Sequence, residues 1–372
     1  MPAHKDLSEM RVAIVHDWLY GGGAELVVEQ LHKAFPDAPI YASFCTPEWR
    51  KRLDNKVVTG FLQHQPFRKF YKYLGFLRIW WYTHLNLKGY DLVISSSGAE
   101  AKGIKVPEGT VHINYCQAPT HYYWSRYDEY MKHPGFGVLD PLARVGLRLL
   151  IAPLRRWDLK AAGRPHYMIA NSTHIQSEIK KYYGRDAVVV HPPVYFERFQ
   201  KPENNNLPRH GFIISGRQTP YKRFDLAIAA CTQLSLPLTV IGDGPDNARL
   251  RSLAGPSVTF LGRIPDGELE RQFASAEALI FPGLDDFGIT PIEAMASGTP
   301  VIAYKAGGAL DYVIEGKTGA FSDEQSVNSL ATALKGFKAD DYSPQGIKAF
   351  AEQFSEERFQ QNLHKILKSV LQ

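Results

Sequence analysis

The chain has 372 residues, more than one ordinary core accommodates, and predicts two domains. Hydrophobic content of 44% and charged content of 22% fit a soluble globular protein, and no uninterrupted apolar run of about 18 residues exists to span a membrane. Cys45, Cys116 and Cys231 lie far apart without a CxxC, which argues for a reducing compartment and against a structural zinc site. The polar start lacks the apolar core of a signal peptide, so the expected location is cytoplasmic. Charge is uneven: residues 1–196 hold 25 Lys and Arg against 17 Asp and Glu, and the remainder hold 18 against 21. The basic half should meet something anionic.

Arg11 to His16 reads as a buried strand, followed by a turn containing Gly21, Gly22 and Gly23 and an amphipathic helix from Leu26 to Phe35. Strand, glycine loop and helix make a βα turn that suits a phosphate or is a plain flexible turn. The spacing is not GxGxxG, which weakens a dehydrogenase reading. Residues 61–90 interleave Phe61, Phe67, Phe70, Tyr71, Tyr73, Phe76, Trp80, Trp81 and Tyr82 with Arg68, Lys69, Lys72, Arg78 and Lys88. Residues 144–160 carry Arg144, Arg148, Arg155, Arg156 and Lys160 around an apolar run and Trp157. Helix packing with a solvated basic face would produce such stretches, and so would a surface entering an acidic headgroup layer. Nucleic acid also suits the pattern, but no binding motif accompanies it, so peripheral membrane contact is expected. Strands follow at Tyr90–Ser97, at Thr110 leading into an aromatic loop that ends at Trp124, at Tyr167 leading into a helix to Gly184, and at Val188–Val194. The polar stretch Lys201–His210 is the natural linker.

Gly211 to Gly216 opens a second βα series. Arg217 and Lys222 lie five apart across a turn leading to a helix near Phe224, which suits a diphosphate at a helix N-terminus. Strand and turn recur at Leu238–Asp246 and Val258–Pro265. Residues 278–303 then read as strand (Ala278–Pro282), loop (Gly283–Ile289), helix and strand (Val301–Ala303). Thr290, Pro291 and Glu293 are expected as N-cap, first helical residue and capping-box acid, with Gly298 closing the helix. The Gly316–Gly319 turn lacks the glycine spacing of a P-loop. Ser355 to Leu371 reads as an amphipathic final helix.

From Asp285 through Ala303 an acid, seven residues and Glu293 enclose Phe287 and Gly288. This stretch resembles the signature of retaining nucleotide-sugar glycosyltransferases of family 4, with Asp285 where that family usually has glutamate. The resemblance covers nearly the whole chain, most closely Gly211 to Phe321. It implies the GT-B fold: α/β, two doubly wound Rossmann-like domains facing a cleft, with the C-terminal helix crossing back. Residues 1–200 with helix 355–372 would bind the acceptor, and residues 209–354 the nucleotide sugar.

The resemblance implies roles as well. Arg217 and Lys222 hold the diphosphate and stabilise it as it departs, and Glu293 holds the ribose. Asp285 and the backbone of Phe287, Gly288 and Ile289 hold sugar hydroxyls, and Gly216, Gly242, Gly244, Arg263 and Ile264 line the base and phosphate pocket. No metal or other cofactor is required. Gly21, Gly22, Gly23 and Tyr122 border the acceptor side. Cys116, Pro119, Tyr122 and Trp124 match a subgroup of GDP-mannose-using O-antigen transferases. That subgroup's histidine, which faces the transferred sugar, is Gln117 here, and its arginine is His121. Gln117 can donate a hydrogen bond but carries no proton, and His121 is the candidate substitute. The expected activity is mannosyl transfer from GDP-mannose to a lipid-linked or oligosaccharide acceptor at the inner face of the cytoplasmic membrane. A UDP-sugar donor, or a non-catalytic partner in polysaccharide assembly, is the alternative.

Overall fold

The computed structural model describes residues 6–70, 74–132, 137, 140–204 and 207–371. Tyr71, Lys72 and Tyr73 of the first aromatic stretch, and Asn205 and Asn206 of the linker, lie outside the described residues. The chain divides into two units, Met1–His191 with Gln360–Gln372, and Pro192–Phe359.

The first unit is built on a seven-stranded sheet. In chain order its strands are β1 (Val12–His16), β2 (Ile40–Ala42), β3 (Val57–Thr59), β4 (Leu92–Ser97), β5 (Val111–Cys116), β6 (Tyr167–Ala170) and β7 (Val188–Val189). Their spatial order is β3-β2-β1-β4-β5-β6-β7, and the pairings are parallel. β1 and β4 are buried along their whole length. Near-continuous apolar runs of this kind are what a parallel sheet covered on both faces requires. The order reverses between β1 and β4, so ligands of such a sheet lie beyond the carboxyl ends of those two strands.

The second unit repeats the plan with β8 (Phe212–Ser215), β9 (Leu238–Ile241), β10 (Val258–Gly262), β11 (Ala278–Phe281), β12 (Val301–Tyr304) and β13 (Gly319–Ser322), ordered β10-β9-β8-β11-β12-β13. Its switch point falls between β8 and β11. The final helix, Glu356–Leu371, buries Phe359, Leu363 and Leu367, a stripe at four-residue spacing. Gln360 on that helix donates through Nε2 to the Gln30 carbonyl at 2.7 Å, tying it to the first unit's helix Ala24–Ala34.

The aromatic-basic stretch is not one surface. Helix Gly75–Thr83 turns Phe76 and Trp80 outward, four residues apart, while Trp81 and Tyr82 enter the core. Arg78, read from sequence among the surface cations, is buried in a bidentate pair with Glu100, at 2.8 Å and 3.1 Å. Helical periodicity separates the two sets. Helix Asp140–Ala162 keeps Asp158, Ala161 and Ala162 buried at its end and exposes Leu142, Val145 and Leu149 near its start. No helix among the described residues is long and apolar enough to cross a membrane.

Candidate active site

The residues singled out in the second half gather at the β8/β11 switch point. Gly216 ends β8 at φ +142, and the chain runs through Arg217 to a single 3-10 turn, Pro220–Lys222, before helix Phe224–Leu234. Beyond β11, Gly283 packs so closely on Tyr221 and Lys222 that an added Cβ would lie 3.0 Å from the Lys222 Cα. The two loops are thereby locked side by side. Lys222 reaches across and pairs through Nζ with the Asp285 carboxylate, while lying over the Phe281 ring at 5.5 Å. Asp285 is buried, and Arg217 is exposed. The pair is charge-assisted and only partly open to solvent, so each side chain fixes the other.

The helix after the loop starts earlier than expected. It spans Ile289–Ala296, with Gly288 (φ +93) at the cap position and no side chain capping it. Thr290 is therefore not the N-cap, Pro291 is the third helical residue rather than the first, and Glu293 is not a box acid. The positive φ of Gly288 lets the chain enter the helix two residues sooner, and Pro291 costs nothing there because first-turn amides have no intrahelical acceptor. Those amides are left to face an anion. Burial pushes the Glu293 carboxyl up to about 7, against the opposing charge of Arg198 and with a smaller contribution from Asp266. The helix ends as expected, with Gly298 at φ +82 and its N–H on the Met295 carbonyl at 2.8 Å.

The remaining residues expected on the donor side lie on neighbouring strand ends. A Cβ on Gly242 would strike the Gly216 carbonyl, and one on Gly244 would strike the Gln218 backbone. Both glycines are thus required for the β8 and β9 turns to pack on each other. Gln218, which sequence reading passed over, is fully buried and bonds the Gly242 carbonyl at 3.0 Å and Asn247 at 2.7 Å. Arg263 is exposed beyond β10 and Ile264 packs into the core. Phe287 is buried in that core too, so its side chain anchors the loop and its backbone is what remains for a ligand. Among the described residues no three His, Cys, Asp or Glu side chains converge as a metal site would require.

In the first unit the strand ends are already occupied by internal carboxylates. Glu25 accepts from the Gly21 N–H at 2.9 Å and the Tyr20 N–H at 3.2 Å, which fills the glycine turn with the protein's own acid. Asp17, unremarked in the sequence, accepts from the N–H groups of Gly98, Ala99 and Ala101 at 2.9, 2.9 and 2.7 Å and from the Ser97 hydroxyl. A free anion would have to displace these. Gln117 stands just past β5, its Nε2 3.0 Å from Ser96 Oγ and its carbonyl accepting from Asn171. His121 Nδ1 lies 2.8 Å from Ser125 Oγ. The Tyr122 hydroxyl donates to Glu100 at 3.1 Å, and burial beside Glu100 holds it well above the usual phenol range. Beneath this loop lies a fully buried ion pair, Lys102–Asp158 at 2.7 Å, with Thr120, Trp124 and Tyr183 donating to the same carboxylate. Gln117, His121 and Tyr122 are thus carried on one rigid loop.

Comparison with known proteins fits this geometry. Residues 195–354 match the family model described as glycosyl transferases group 1. A GDP-mannose-dependent alpha-(1-6)-phosphatidylinositol monomannoside mannosyltransferase of Mycolicibacterium smegmatis is 29% identical over 246 residues, covering 55% of this chain and 64% of the relative. A GDP-mannose-dependent alpha-mannosyltransferase of the same organism is 36% identical over 117 residues, 31% of this chain and 30% of the relative. A D-inositol 3-phosphate glycosyltransferase of Streptomyces avermitilis is 28% identical over 207 residues, 47% of this chain and 44% of the relative. The chain thus spans less than two thirds of the length of these curated relatives. Among solved structures, Anabaena Alr3699/HepE in complex with UDP and glucose superposes with a TM-score of 0.70 at 19% identity, covering 97% of this chain and 100% of that one. A sucrose-phosphate synthase from Thermosynechococcus elongatus gives 0.68 at 18% identity, covering 97% and 99%. The chain has the GT-B fold, and within it residues 195–354 of the second unit match the glycosyl transferases group 1 model.

Proposed function

We propose that this chain moves mannose from GDP-mannose onto a lipid-linked or oligosaccharide acceptor. The observation that carries the reading is the Lys222–Asp285 pair, set at the switch point of the family-matched unit and beside an uncapped helix N-terminus. Lys222 and Arg217 hold the diphosphate, Glu293 the ribose, and Asp285 with the Gly288 and Ile289 backbone the sugar hydroxyls. Gly216, Gly242, Gly244, Arg263 and Ile264 frame the base and phosphates. The acceptor oxygen bonds to the anomeric carbon as the carbon–phosphate oxygen bond breaks. The electron pair leaves on the nucleoside diphosphate, where cations and helix dipole stabilise it, and the acceptor proton passes to a departing phosphate oxygen. The first unit supplies the acceptor side through Gly21, Gly22, Gly23 and Tyr122, with Gln117 and His121 near the transferred sugar. Guanine and mannose are supported by relatives whose names state GDP-mannose dependence.

Membrane contact belongs to the same reading. Leu142, Val145 and Leu149 are exposed on one helix beside exposed Arg148 and Arg156, and Phe70, Phe76 and Trp80 are exposed in the earlier stretch. Apolar groups flanked by cations suit an acidic headgroup layer and support a reading in which the chain works at the cytoplasmic membrane surface.

Incubation of the pure protein with GDP-mannose, or with UDP-glucose, tests the donor. Release of GDP with mannose, or transfer to an added mannoside, supports the reading. Release of UDP alone redirects it to a uridine donor. Nucleotide binding without turnover in either arm favours a non-catalytic partner, a role that Gln117 in the histidine position would fit.

A further inference from the structure

A buried tyrosine, Tyr312, stands behind the loop that carries Asp285. After β12 the chain forms a short 3-10 helix, Gly307–Asp311, that lies directly against the loop carrying Asp285. The Gly308 N–H donates to the Asp285 carbonyl at 2.9 Å. A Cβ on Gly307 or Gly308 would strike the backbone of Asp285 or Phe287, so the contact is main chain on main chain. Tyr312 turns inward from this segment and is fully buried, its ring edge-on to Phe287 at 5.6 Å. Its hydroxyl faces Gly288, where an added Cβ would sit 2.8 Å from the phenol oxygen.

That hydroxyl has no hydrogen-bond partner among the described residues. A buried unpaired hydroxyl costs free energy that phenylalanine would avoid with the same packing, so its presence calls for a use outside the free state. Burial first, then the nearby negative charge of Asp285 and of Asp311, hold the phenol well above its usual range. It therefore remains a donor at any working pH, in the field of the Asp285 carboxylate.

We propose that Tyr312 is a positioning residue of the donor site, its hydroxyl donating to Asp285 once the diphosphate of a bound donor draws Lys222 away from that carboxylate. The inference rests on the donor-site reading above. In the free molecule Lys222 neutralises Asp285. Phosphate oxygens compete for the same ammonium, and a buried carboxylate stripped of its cation needs another donor to stay ionised and oriented. Tyr312 supplies one from the buried side of the loop, leaving the other carboxylate oxygen for the sugar. No proton is transferred, because the phenol keeps its own.

Tyr312→Phe removes only the hydroxyl and keeps the ring contacts. Thermal unfolding and calorimetric titration with GDP, UDP, GDP-mannose and UDP-glucose should be compared with the parent protein. The proposal predicts a melting temperature equal to or above the parent's and nucleoside diphosphate affinity lowered no more than about threefold, because the diphosphate alone already draws Lys222 away. It predicts an affinity for the matching nucleotide sugar lowered about tenfold. In an Asp285→Asn background the same change should have no further effect. An unchanged preference for nucleotide sugar over nucleoside diphosphate would overturn the proposal. So would a lowered melting temperature with equal losses for both ligand types, which marks a structural hydroxyl. Failure of the parent to bind any of the four would instead overturn the donor-site reading, and this inference with it.

Discussion

Lys222→Met separates the two jobs assigned to that lysine. In the free protein it strands Asp285, a carboxylate buried to 8% exposure, without its cation. Breaking a fully buried pair costs roughly 3–5 kcal/mol, but the Lys222 side chain keeps 23% of its exposure, so screening reduces the expected cost to about 2 kcal/mol. For a unit of this size that is a fall of about 4–8 °C in melting temperature. Asp285→Asn removes the charge from the other side, and the double variant should recover at least about 1 kcal/mol relative to additivity. The assay is chemical or thermal unfolding of the four proteins in one buffer. Nucleoside diphosphate affinity should fall about tenfold or more in Lys222→Met and change little in Asp285→Asn, since in the proposed site only the lysine of the pair meets phosphate. Additive destabilisation within about 0.3–0.5 kcal/mol would refute the ion pair. Equal affinity losses in both single variants would refute the division of roles.

Glu293 should make the protein sensitive to pH. Its carboxyl titrates near 7 in the folded chain against 4.5 normally, chiefly through burial. The folded state therefore holds that proton longer than the unfolded one. The stability this contributes is full below about 4.5 and is lost as pH rises through about 7. Glu293→Gln should flatten the decline in denaturant titrations across that window, and nucleotide affinity should lose its rise with pH in the same variant. Asp285→Ala should cut turnover far more than nucleotide binding, which steady-state kinetics beside calorimetry will read. Lys102→Met leaves Asp158 buried and unpaired and should cost about 3–5 kcal/mol, with Asp158→Asn restoring part of it in an unfolding cycle. Replacing Leu142, Val145 and Leu149 together by Gln should weaken sedimentation with anionic vesicles without lowering the melting temperature, because none of the three is packed.

Strands such as β1, β8, β9 and β11 were legible because each is a short apolar run with a glycine or an acid within two residues of its end, whereas β2, three residues long, carries no such signal. The doubly wound plan of two domains followed from βα alternation and from the resemblance carried by Asp285 through Ala303. Helix starts were less legible. Thr290 and Pro291 have the chemistry of a cap, yet Gly288 alone can take a φ of +93, and backbone freedom overrode side-chain preference. Arg78 read as a surface cation because composition carries no direction, and only its pairing with Glu100 across 22 residues explains its burial. Asp17 and Glu25 hide for a related reason: an acid that caps amides and an acid that meets substrate look alike in one dimension. Tyr312 lay outside every motif, and its meaning depends on Gly288 and Asp285 being brought to it by the sheet.

The most direct test of the central claim is a thermal-shift titration of the protein with GDP, UDP, ADP and dTDP and with their mannose or glucose conjugates. A ligand at ~100 times its dissociation constant stabilises the fold by roughly 2.7 kcal/mol. The expected result is a selective response to guanine nucleotides that Lys222→Met cuts to about half or less. A melting temperature that no nucleotide moves would contradict it.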